Sequence, residues 1–185
     1  MKKLFFSLTV IVLSLSLFGG WFTPSAKITT EGGYAISMVN ATGTTSVKGQ
    51  VVSVGVLPYT NIVTNTTWYS VTNIVTNITT NIGSYFGFIP TSIANLFNSI
   101  GVVYDTGIAN GQSAYIVIGG ICDALIETNS VATNGWYMYA STNFAGRLIG
   151  NTLRTNTINV VGFCLVTTNG LTNTDTLCRI VLRRY

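Results

Sequence analysis

The sequence contains no histidine. That absence removes Ser-His-Asp and Cys-His nucleophile pairs and the commonest transition-metal ligand. Charge is scarce as well. Nine Lys and Arg and five Asp and Glu make up only 8% of the 185 residues, against about a quarter in an average soluble domain. The carboxylates can be taken one by one: Glu31, Asp105, Asp123, Glu127 and Asp175. Only Asp123 and Glu127 are close in sequence. Four residues of strand would place them on one face about 13 Å apart, too far to share a glycosidic bond. They read as strand-end and turn residues. Phosphate loops, metal-ligand clusters and nucleophile elbows are also missing. The sequence thus implies no catalytic residue, no cofactor and no metal site, and the expectation is a protein that is not an enzyme.

Cysteine is sparse too. Cys122, Cys164 and Cys178 form an odd set without CxxC spacing, which makes neither a disulfide framework nor a zinc site. All three read as small buried hydrophobes. Cys178 alternates with Ile180 and Leu182 and shares their strand face. A Cys164–Cys178 bridge across a hairpin stays open. The net charge is +4, with Lys2 and Lys3 at the start and Arg179, Arg183 and Arg184 at the end. No basic stripe with interleaved aromatics occurs, so nucleic acid is not an expected partner. The Arg-rich end reads as a solvated edge strand guarded by its charges. With so few charges, solubility must rest on Thr, Asn and Ser, or much of the surface is covered by other subunits.

The chain is organised around Ile100–Glu127, IGVVYDTGIANGQSAYIVIGGICDALIE. Three apolar runs, Ile100–Tyr104, Tyr115–Ile118 and Ile121–Ile126, alternate with Asp105-Thr-Gly107, Asn110-Gly111 and Gly119-Gly120. Short β-branched and aromatic runs punctuated by such turn residues predict strands joined by tight turns. In Tyr115-Ile-Val-Ile118 both faces of the pleat are apolar, so this strand is expected to be covered on both sides. Further strands are predicted at Tyr34–Val39, Val47–Val56, Trp136–Tyr139, Val161–Val166 and Thr176–Leu182. Gly49 and Gly55 within the second of these suggest a bulge or a close backbone approach. Short strands at this spacing predict an all-β fold, a small β-sandwich or barrel with tight Gly/Asn turns. The length suits one domain, residues 27–185.

Two segments stand apart. Residues 1–26 join Met1-Lys-Lys to an apolar run, Leu4–Phe18. This is the outline of a secretory signal, although Pro24 spoils the cleavage site. As a helix the run would span about 22 Å, short of the roughly 30 Å bilayer core. The other reading is an apolar arm that packs on a neighbouring subunit. Membrane contact is expected only if the segment acts as a signal. The second segment, residues 57–99, is an insertion. No charge occurs between Lys48 and Asp105, and TNIVTN at Thr60–Asn65 recurs at Thr72–Asn77. Thr, Ile and Val favour strands and Asn the turns between them, so a projecting, uncharged hairpin is predicted. A Thr/Asn-rich linker is the alternative. Asn40, Asn65 and Asn77 stand in glycosylation contexts that such composition produces by chance. Ile93, Leu96, Phe97 and Ile100 fit one or two helical turns, unless Ile100 already begins the next strand.

Three pieces carry a resemblance when taken in order: EGGYAISMVNATGTTSVKGQVV at Glu31–Val52, the Ile100–Glu127 stretch, and VGFCLVTTNGLTNTDTLCRIVLRRY at Val161–Tyr185, with Ala145-Gly146-Arg147 between the last two. Together they resemble a family of small structural proteins encoded in tailed-phage genomes, usually taken as head decoration or minor capsid proteins. Residues 1–26 and the longer Thr/Asn-rich segment depart from that pattern. The resemblance implies a compact β domain on the capsid surface of a virion. It would dock on the major capsid protein or neighbouring virion subunits and assemble as a homo-oligomer, by analogy a trimer. The alternative is a secreted cell-surface or filament subunit, extracellular or in the cell envelope, that assembles through β-strand edges.

Overall fold

A computed structural model describes residues 25–70, 73–95, 98–152, 160–170 and 176–183, and of residues 58–70, 73–79 and 81–85 it describes the backbone alone. The expected apolar arm or signal, residues 1–26, lies almost wholly outside the described residues. The described chain is nearly all β and contains no α-helix, as the composition and turn pattern predict. Twelve strands follow in order: β1 Ala26–Ile28, β2 Gly33–Asn40, β3 Val51–Ser70, β4 Asn73–Pro90, β5 Ser99–Val103, β6 Ser113–Ile126, β7 Val131–Ala132, β8 Tyr137–Ala140, β9 Leu148–Asn151, β10 Val160–Cys164, β11 Thr168–Asn169 and β12 Thr176–Leu182.

Ten of them form one mixed sheet in the order β1-β2-β4-β3-β5-β6-β12-β10-β8-β9, with further pairings β2–β6 and β6–β9. Those two pairings close the sheet on itself twice. One circuit runs β2-β4-β3-β5-β6 and the other β6-β12-β10-β8-β9, and β6 belongs to both. The first half of β6 bonds β2 and β5, with Ile116 opposite both Ile36 and Val103. Its second half bonds β12 from Gly120 to Ile126 and touches β9 at Ile126 and Leu148. Closure gives every strand of the two circuits two partners and leaves β1, paired with β2 alone, at the edge of the large sheet. β7 and β11 make a separate two-stranded ladder.

Two apolar clusters follow from this layout. Val52, Phe88, Val103, Ala114 and Ile116, with Met38 against them, draw on all five strands of the first circuit. The larger cluster gathers Cys122, Ala124 and Ile126 of β6 with Met138, Leu148, Cys164, Cys178, Ile180 and Leu182. It also takes Ala35, Val51, Val102 and Val117 from the first circuit. Adjacent Ile116 and Val117 are both fully buried, yet they sit in different clusters. The strand expected to be covered on both faces is therefore covered on both faces. Each such side chain contributes about 1.5–3 kcal/mol on burial.

Gly119-Gly120 is not the turn expected between two strands. β6 runs straight through it, and the extra residue is absorbed as a bulge, with the pairing to β2 shifting between Tyr34 and Ala35. Gly120 has φ +82°, and a Cβ there would lie 2.6 Å from the Gly32 carbonyl oxygen. A glycine is needed for both reasons, and the bulge lets β6 change partners midway. The Arg-rich end is also corrected: β12 lies between β6 and β10 and is not an edge. At Gly55 the expected close approach is present, since a Cβ would meet Ile89 of β4 at 2.4 Å.

The Thr/Asn-rich segment is extended, as expected, in β3 and β4. Residues 58–84 belong to a compact unit separate from that of residues 24–57 and 85–185. Between β4 and β5, Leu96 and Phe97 of the expected helical turns lie outside the described residues, and single turns flank them. Asn95 N–H donates to the Ser92 carbonyl and Asn98 N–H to that of Asn95, and Ile100 belongs to β5.

Candidate functional site: a charged and aromatic network

The scattered charges of the sequence converge. Lys27 comes from β1, Glu31 from the β1–β2 turn, and Lys48 from the approach to β3. Asp105 follows β5, Asp123 lies in β6, and Arg179 lies in β12. Arg179 stands directly opposite Asp123 in the ladder, and its Nε and Nη2 donate to the two carboxylate oxygens at 2.9 and 3.2 Å. Asp123 is thus a mid-strand ion partner, not the strand-end residue expected. Lys48 bridges onward, with Nζ 3.9 Å from Asp123 Oδ2 and 3.3 Å from Glu31 Oε1. Lys27 Nζ lies 3.8 Å from Asp105 Oδ1.

Two tyrosines lie between these pairs. Lys27 Nζ sits 3.7 Å above the Tyr115 ring and 4.6 Å from that of Tyr104, and Lys48 Nζ is 5.4 Å from the Tyr104 ring. A cation over a ring face is held by the ring quadrupole. The tyrosine hydroxyls reach Ser25 Oγ at 2.9 Å and Thr30 Oγ1 at 3.3 Å. Asp105 also accepts the Tyr115 backbone N–H at 2.7 Å, which fixes the end of β5 against the start of β6. Desolvation pushes Glu31 up. Its own backbone amide, the Thr30 hydroxyl and Lys48 outweigh that and hold it below the ordinary carboxylate value. The exposed Arg179 is raised by its hydrogen bond to Asp123 and by that residue's charge.

Beside this network the two central pieces of the sequence clasp each other. Asn40 is fully buried. Its amide donates to the carbonyls of Thr44 and Ile108, both at 2.8 Å, and its Oδ1 accepts Thr42 N–H. Ser46 Oγ donates to the Asp105 carbonyl at 2.9 Å and accepts Ile108 N–H. With both amide hydrogens committed inside the fold, Asn40 is no glycosylation acceptor in the folded chain.

The remaining acidic candidates do not join. Glu127 is buried and accepts Asn143 Nδ2 at 3.0 Å. Asp175 lies outside the described residues. The three cysteines are buried, as expected, and are present as free thiols. Among the described residues, no group of three or more Cys, Asp or Glu is placed to hold a metal ion, and no helix is long and apolar enough to cross a membrane.

Three cations here face three carboxylates. Such a patch neither concentrates an anion nor leaves a carboxylate free for proton transfer. It can do what mixed-sign, tyrosine-bearing surfaces do, which is to fix the register of a docked partner. Sequence reasoning missed this assembly because its members are spread from residue 27 to residue 179. The local signal was that Lys48, Asp123 and Arg179 fall in strands predicted from the sequence and Asp105 falls directly after one. The chain matches no family model, no curated protein sequence and no solved structure.

Proposed function

We propose that this chain is a virion structural protein that decorates and stabilises a capsid by binding between neighbouring capsid subunits. The reading rests first on the ordered resemblance of Glu31–Val52, Ile100–Glu127 and Val161–Tyr185 to tailed-phage head proteins. The observation that supports it best is apolar surface on a stretch without charge. Val54 and Val56 of β3 are 46% and 55% exposed, and Phe86 of β4 is 78% exposed, all within the uncharged run from Lys48 to Asp105. Apolar side chains left in water gain free energy when a partner covers them. A decoration protein that docks only on the assembled shell stabilises it by mass action. The Lys27–Arg179 network then supplies specificity of register, and three-fold self-assembly is the arrangement the resemblance implies.

The test is quantitative mass spectrometry of purified particles together with their thermal stability. The chain is expected at a fixed copy number per shell, and particles lacking it are expected to open at lower temperature. Particles that neither contain the chain nor change stability on its loss would rule the reading out. The second reading, a secreted surface or filament subunit, is favoured by the signal-like residues 1–26 alone. N-terminal sequencing separates the two, since a mature start near Lys27 belongs to secretion and a retained Met1 to the arm.

A further inference from the structure

β10 and β12 are antiparallel neighbours with Cys164 opposite Ile180, so Cys178 lies two residues further along the same strand. Both side chains enter the larger core cluster and are 1% and 0% exposed. Their sulfurs are 3.2 Å apart. Both thiols also turn toward one acceptor, the Val166 carbonyl, at 3.0 Å from Cys164 and 3.6 Å from Cys178. Cys122 belongs to the same cluster, on β6 opposite Ile180, but makes no such contact with either sulfur. Bonding Cys164 to Cys178 requires the sulfurs to close by about 1 Å, to roughly 2.05 Å.

We propose that Cys164 and Cys178 are a disulfide-forming pair, closed while the chain folds in an oxidising compartment and left as two buried thiols when it folds in a reducing one. The chemistry is thiol–disulfide exchange with a small-molecule disulfide. One cysteine thiolate attacks that disulfide, its S–S bond breaks, and one thiolate leaves. The second cysteine thiolate then attacks the mixed disulfide at the first Sγ and expels the other thiol. The protein gives up two electrons and two protons, and the oxidant is reduced to two thiols.

Timing follows from the packing. Exchange needs a thiolate and access. In the finished fold, burial, the hydrogen bond with Cys164 and the charge of Cys164 push Cys178 up to about 12, and neither sulfur is exposed. The bond therefore forms before β10 and β12 seal the core. Once closed it ties off the segment carrying β11 and the link between β10 and β12, which restricts the unfolded chain.

The full chain, denatured and reduced, is refolded with oxidised or with reduced glutathione, alkylated, and digested without reductant. Expected from the oxidised arm is a peptide pair joined through Cys164 and Cys178 and about 2 Da lighter than the two thiol peptides, with Cys122 alkylated after unfolding. Its Tm is expected to exceed that of the reduced arm by about 5–10 °C. The shift should persist in Cys122→Ala, which leaves the pair untouched, and vanish in Cys164→Ala or Cys178→Ala. If either of these fails to fold, the linkage map of Cys122→Ala carries the test alone. Two alkylatable thiols at 164 and 178 after oxidative refolding, or a bond through Cys122, would overturn the proposal. Bond formation as fast in the folded, reduced protein as during refolding would overturn the timing.

Discussion

At the scale of single residues, burial and close approach decide most outcomes. Gly120 combines φ +82° with a carbonyl oxygen 2.6 Å from any added Cβ. Gly120→Ala is therefore expected to cost about 2–4 kcal/mol, from left-handed strain plus displaced backbone, measured as a drop in the urea midpoint. Asp123 is different. Its partner Arg179 is exposed, 47% against 16% for Asp123 itself, so solvent screens the pair and Asp123→Asn should lower the urea midpoint only slightly. On the proposed function the same variant should bind shells more weakly in low salt than the native chain does. The thiols set an alkaline limit. Cys178 is raised from 9.0 to about 12, first by burial, and burial followed by the charges of Asp123 and Glu31 also raises Cys122. Their contribution is complete below about pH 9. Above that the unfolded chain sheds thiol protons that the folded chain keeps, so stability falls as pH rises toward 12. A urea-midpoint profile from pH 8 to 11 should show this fall, and it should be shallower in Cys122→Ala.

At the scale of elements, β6 is the member shared by both circuits, and its bulge is where it passes from one to the other. The turn chemistry of Gly119-Gly120 was legible in the sequence, but its use was not. A positive-φ glycine serves a hairpin or a bulge equally well, and only the strands that flank it decide which. Ile116 and Ile180 lie in different clusters. Ile116→Ala and Ile180→Ala should each cost about 2–5 kcal/mol. Their effects should add to within about 0.5 kcal/mol in the double variant if the clusters are energetically independent. Chemical denaturation of the two single variants and the double variant tests this, and a large coupling would mean that β6 transmits packing across its own thickness. The misreading of β12 as an edge has a similar origin. Its Arg179 and the following arginines look like edge protection, but Arg179 is committed to Asp123 on the neighbouring strand.

At the scale of the whole molecule, a chain with so little charge leaves large apolar side chains in water at Val54, Val56 and Phe86. Each is 46% exposed or more, so a polar replacement there keeps its access to water. A Val56→Asp, Phe86→Asp double variant is expected to fold with a near-native urea midpoint and to lose shell binding, read by co-sedimentation with particles. Normal co-sedimentation would remove this surface from the proposed interface. The redox state of the Cys164–Cys178 pair in native material adds an independent reading. A virion protein folded in a reducing cytoplasm should carry two thiols, and a secreted subunit should carry the bond.

Composition and local pattern by themselves determined the all-β class, most strand positions, the two-sided burial around Ile116 and Val117, and the inward face of Cys178, Ile180 and Leu182. These are properties of periodicity and turn chemistry, which act over a few residues. Only the tertiary structure decided which strands pair, that the sheet closes twice around β6, that Asn40 is sealed inside, and that six charges spread between residues 27 and 179 meet in one network. Strand pairing is set by contacts distant in the chain, and no local pattern encodes which strand will lie beside which.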